Sequence, residues 1–103
     1  MLSELKTLIG QPLSVSSLWR MQSLAMQLVD SESEPLAFFI IATIAGRIAD
    51  RYDGEPMDGD FAEIRDSILK PFFLEVIDAF EKHDSERLVI ASNTIIKAHM
   101  LSL

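Results

Sequence analysis

Three pairs of carboxylates stand where this sequence comes closest to chemistry: Glu63 with Asp66, Glu75 with Asp78, and Asp50 with Asp53. Each pair is spaced i,i+3, which on a helix sets both side chains on one face. Two such faces turned toward each other would offer oxygen ligands to a hard cation, and a cation so held can polarise a phosphoryl oxygen or activate water. The surrounding stretch is acidic as a whole. Asp50, Asp53, Glu55, Asp58, Asp60, Glu63 and Asp66 are balanced only by Arg51 and Arg65, seven acids against two bases and a net −5. A calcium loop of the EF-hand kind needs oxygen donors at its first, third and fifth positions, glycine at the sixth and glutamate at the twelfth. With Gly59 as the sixth residue, Gly54 and Pro56 fall on donor positions and Arg65 on the twelfth; with Gly54 as the sixth, Ala49 and Arg51 fall on donor positions. Neither register works. The stretch reads as helix caps and a solvated loop.

In spacing, Glu63, Asp66, Glu75 and Asp78 resemble the acid pairs of the all-α nucleotide pyrophosphohydrolases. That resemblance implies a magnesium-dependent nucleotide hydrolase with these four residues as metal ligands, and it is the alternative function. No Gly-rich loop or cluster of Lys and Arg accompanies the pairs to grip phosphates. Other catalytic classes lack their parts. The chain has no cysteine, which removes thiolate metal sites and cysteine nucleophiles. A Glu-x-x-His di-iron motif fails because Ile96 stands three residues before His99. No G-x-S-x-G surrounds any serine. The reading therefore predicts no catalytic residues, no metal and no cofactor.

The nine Lys and Arg residues are dispersed and the net charge is −7, so a phosphate backbone is repelled and nucleic acid is not an expected partner. The most apolar run, from Leu36 to Ala45 and interrupted only by Thr43, falls short of the roughly 20 residues that span a bilayer. Glu4 and Lys6 interrupt the start where a secretory signal would be apolar. The predicted address is cytoplasmic, with no membrane partner.

The elements that must carry these side chains are all helical. With 103 residues, 49% of them hydrophobic, the chain suffices for one helical domain over 1–103 with a true core. Leu2, Leu5, Leu8 and Ile9 make a short first stripe, stopped by Gly10 and Pro12. A second helix starts within Ser14–Ser17 and carries Leu18, Met21, Leu24, Ala25, Leu28 and Val29 inward. A third starts at Ser33-Glu34-Pro35, with a hydroxyl cap, and runs through Tyr52 as the centre of the fold. Its small residues Ala42, Ala45, Gly46 and Ala49 invite close approach by a neighbour, or a pocket for a small molecule. Asp60 and Glu63 form a capping-box variant. Pro71 requires an interruption in the turn before it. The last helix begins near Asp84 and folds back antiparallel after a short link, with Leu88, Ala91, Ile95, Ile96, His99, Met100 and Leu103 on its stripe. No sequence repeat is apparent. The fold class is an all-α compact bundle of four to six helices with a C-terminal antiparallel helical hairpin.

More apolar surface is present than such a bundle encloses. Phe38-Phe39 and Phe72-Phe73 are adjacent pairs, and neighbours on a helix diverge by about 100°. Trp19 and Met26 lie off the main stripe of their helix. Large exposed apolar side chains on a small protein mark association surfaces. The predicted function is a non-catalytic protein-interaction module, a small acidic adaptor, regulator or chaperone/immunity-type binder that associates with a protein partner or with itself as a homodimer. Trp19, Met26, Phe39 and Phe73 are the candidate contacts.

Overall fold

Backbone capping begins the second helix where the serines predict it. In the computed structural model, which describes residues 1–53 and 59–100 (side chains of 59–61 and 99–100 apart), Ser14 Oγ accepts from the Ser17 amide at 3.1 Å. The Ser14 amide donates to Ser17 Oγ at 2.7 Å, a reciprocal capping box that satisfies two free backbone amides at the helix start. This helix, α2, spans Val15–Ser31 and follows α1, Leu2–Gly10. Gly10 is not left-handed; α1 ends because the chain turns extended at Gln11 and Pro12 cannot rejoin the ladder.

The third helix, α3, spans Leu36–Tyr52 and starts without the expected Ser33 cap: Pro35 holds the cap position, and no side chain bonds there. Proline already sets φ near its helical value, and the Pro35 carbonyl accepts from the Phe39 amide at 3.0 Å. Ala37, Phe38, Ile41, Ala42, Ile44, Ala45, Gly46, Ile48 and Ala49 are all buried. α3 packs along α2 and against α5, and its small-residue face is closed by α2. A Cβ on Gly46 would land on the side-chain amide of Gln22, so glycine is what permits that approach.

After α4, Gly59–Ile64, the helix widens into a π turn over Arg65–Leu69 and then continues as α5, Lys70–Glu81. This is the interruption that Pro71 demands. Proline offers no amide, its ring crowds the carbonyl four residues back, and the Lys70 amide reaches five residues back to Arg65. The inserted residue rotates the apolar stripe, so Leu69, Phe72, Phe73, Val76 and Ile77 face the core.

α5 closes in a left-handed turn. His83 has φ 54°, its amide donates to Phe80 and the Asp84 amide to Ala79, the pairing of a Schellman motif. Asp84 then caps α6, Ser85–Ile95, by accepting from the Arg87 amide at 3.1 Å. The predicted C-terminal hairpin is thus present, with Leu88, Ser92 and Ile95 turned inward. A second π turn, Ile96–Met100, follows. Ile96, expected on the buried stripe, is exposed: it follows the buried Ile95 by about 100° around the helix.

One apolar core joins α1, α2, α3, α5 and α6. Phe38 meets Phe80 edge-to-face with ring centroids 4.6 Å apart. Among the described residues there is no strand, and no helix is long and apolar enough to cross a membrane. The loop glycines and acids of 54–58, the side chains of Asp60, His99 and Met100, and Leu103, each given a role by the sequence, lie outside what the structure describes.

Candidate interaction face

Glu75, Asp78 and Asp66 are held by arginines rather than by a shared cation site. Arg87, on α6, reaches across the C-terminal hairpin: its Nε donates to Glu75 Oε1 at 2.9 Å and its Nη2 to Asp78 Oδ2 at 2.9 Å. Lys82 Nζ adds a contact to Asp78 at 3.1 Å. Arg87, then Lys82, hold the Asp78 carboxyl below its ordinary range by bonding to its charged form. The two carboxylates in turn hold the Arg87 guanidinium above its usual value. Asp66 is taken by its neighbour Arg65 through bonds of 2.8 and 3.1 Å, and its carboxyl is likewise lowered. Glu63 is exposed and makes no ion pair among the described residues. No group of three potential metal ligands converges among the described residues. Glu75 and Asp78 thus serve as the clasp of a helical hairpin.

The four contact candidates divide. Trp19, Met26 and Phe39 are exposed, at 37%, 45% and 53% of their surface. Phe73 is wholly buried and is a core residue, which corrects its reading as a contact. Adjacent Phe72 and Phe73 both turn inward, 5.6 Å apart between ring centroids. They can do so because α5 is covered on several sides, by α1, α3 and α6.

The three exposed candidates share one surface. On α2, Trp19, Ser23, Met26 and Asp30 follow one another in steps of four, three and four, which on a helix is a single line. On α3, Phe39, Thr43, Gly46 and Asp50 repeat those steps twenty positions later. Gln22 over Gly46 sets the register of the two antiparallel helices. Trp19 therefore stands beside Asp50, and Phe39 beside Asp30. All of these except Gly46 are exposed. The same twenty-residue offset relates core positions: Leu18 and Phe38, Met21 and Ile41, Leu24 and Ile44, Ala25 and Ala45, Leu28 and Ile48, all buried. Comparing the two helices at that offset is the sequence signal that reveals the face.

Other apolar side chains are exposed that the sequence reading did not single out. Leu36, three residues before Phe39, adjoins it on α3; Leu74 lies on α5, and Val89 and Ile90 lie on the outer side of α6. Leu88-Val89-Ile90 is a consecutive apolar run, and on a helix such a run cannot all face inward.

Comparison with known proteins adds no relative: no family model, curated protein or solved structure matches the chain.

Proposed function

We propose that this chain is a non-catalytic protein-interaction module, an acidic adaptor or regulator whose contact face is the outer surface of α2 and α3. The observation that carries the reading is the exposure of Trp19, Met26 and Phe39 on one face of two helices that are otherwise well packed. An aromatic, a methionine and a phenylalanine are the residue types that dominate the centres of protein interfaces. The face is rigid, being built on helices rather than loops, and Gln22 packed over Gly46 holds its two halves together. The acid pairs lend little to the hydrolase alternative, since Glu75 and Asp78 are committed to Arg87.

The test compares the immobilised protein with its Met26→Glu/Phe39→Glu variant, both offered the soluble proteins of the cells that make it, alongside sedimentation equilibrium of each. The expected result is a defined protein retained by the wild type, or a wild-type self-association, that the variant loses while its melting temperature is unchanged. A wild type that sediments as a monomer and retains nothing the variant does not would overturn the reading.

A further inference from the structure

The charges at the corners of the α2–α3 face define what fits it. Trp19 and Phe39 occupy one diagonal; Asp30 and Asp50, both exposed, occupy the other. Neither aspartate side chain makes an ion pair among the described residues. The three cations of these helices are engaged elsewhere: Arg20 turns toward α1 and meets Glu4 at 3.4 Å, Arg51 lies over the Tyr52 ring at 5.4 Å, and Arg47 and Arg51 each have a further interaction of their own.

A second copy fits this pattern badly. Homodimers close by two-fold symmetry, and two axes in its plane can lay this oblong face on itself in register. An axis along the helices sets Trp19 over the other copy's Asp50; an axis across them sets Trp19 over its Asp30. Both arrangements bury a carboxylate against an aromatic ring without a partner. Both subunits would also carry −7.

Building on the interaction-module reading, we propose that the occupant of the α2–α3 face is a basic amphipathic helix of another protein, lying along the acidic diagonal. Its cations meet Asp30 and Asp50, its apolar stripe covers Met26, and Trp19 and Phe39 flank it on either side. Asp30 and Asp50 are twelve residues apart in axial register, counted from the Gln22–Gly46 contact. With a rise of 1.5 Å per residue and helices roughly 9 Å apart, the diagonal is about 20 Å. The partner's two Lys or Arg residues therefore stand about three to four turns apart, with Leu-type residues between them.

The probe is a synthetic helical peptide with two lysines at that spacing and a leucine stripe, set against the same peptide with glutamate for lysine. Trp19 is the sole tryptophan, so its fluorescence reports the face directly. The expected result is saturable binding of the lysine peptide, no measurable binding of the glutamate peptide, and a loss of about tenfold in affinity in Asp30→Asn/Asp50→Asn. Equal binding of both peptides, unchanged by the aspartate substitutions, would overturn the charge assignment and leave the interaction face standing. Failure of both peptides, with self-association that Met26→Glu abolishes, would overturn it in favour of a second copy. Failure of both with a strictly monomeric protein would overturn the proposal and the interaction-module reading together.

Discussion

Replacing Gly46 with alanine tests the register on which the α2–α3 face depends. Alanine gains about 1 kcal/mol over glycine inside a helix. At Gly46 that gain meets an obstacle, because the new Cβ occupies the position of the Gln22 side-chain amide. The amide must swing away into a less favoured rotamer, at a cost of about 0.5–1.5 kcal/mol. The two effects nearly cancel, and Gly46→Ala alone is expected to shift stability by less than about 0.5 kcal/mol in either direction. In a Gln22→Ala background the obstacle is gone, and the same substitution is expected to stabilise by about 1 kcal/mol. The double-mutant cycle, read by urea unfolding of the four proteins, therefore carries a coupling of about 1 kcal/mol. Additivity to within about 0.3 kcal/mol would mean that Gln22 does not lie over Gly46, and the pairing of Trp19 with Asp50 would fall with it.

Truncating two phenylalanines separates core from surface. Phe73→Ala, at a wholly buried ring, is expected to cost about 3–5 kcal/mol, whereas Phe39→Ala is expected to stay within about 0.5 kcal/mol; thermal melts of both variants check the contrast. His83→Gly relieves a left-handed residue at φ 54° and gives up only an exposed contact to Glu34 at 3.4 Å, so chemical denaturation is expected to show a gain of about 1 kcal/mol. Asp78 has a lowered carboxyl value in the fold, so its contribution is complete above the unfolded value of about 3.9 and disappears as the pH falls through the lower folded one. The stability difference between wild type and Asp78→Asn, followed by melts across acidic pH, is therefore expected to be constant near neutrality and to close below about pH 4.

Features decided by a few neighbouring residues were legible in the sequence. The caps at Ser14 and Asp84, the break before Pro71 and the tight seam at Gly46 each follow from one local steric or hydrogen-bonding demand. The cap at Ser33 was not, because Pro35 is itself pre-set for the helix start. Phe73 was misread for a reason beyond its own helix: whether two adjacent rings can both be enclosed depends on how many neighbours surround α5. The fate of Glu75 and Asp78 rested on Arg87, which only the fold of the hairpin brings to them. Trp19 and Met26 were visible as residues off their stripe. Their partnership with Phe39, and the opposing diagonal of aspartates, needed the antiparallel register of α2 and α3.

Photo-crosslinking addresses the interaction face most directly. A photoreactive phenylalanine replaces Ser23, between Trp19 and Met26, in one protein, and Asn93 on the exposed side of α6 in another. Both are irradiated in the cells that make the protein. The α2–α3 face predicts a discrete adduct to another protein from position 23, lost when Met26→Glu is added, and none from position 93. Adducts in equal yield from both positions, or from position 93 alone, would contradict it.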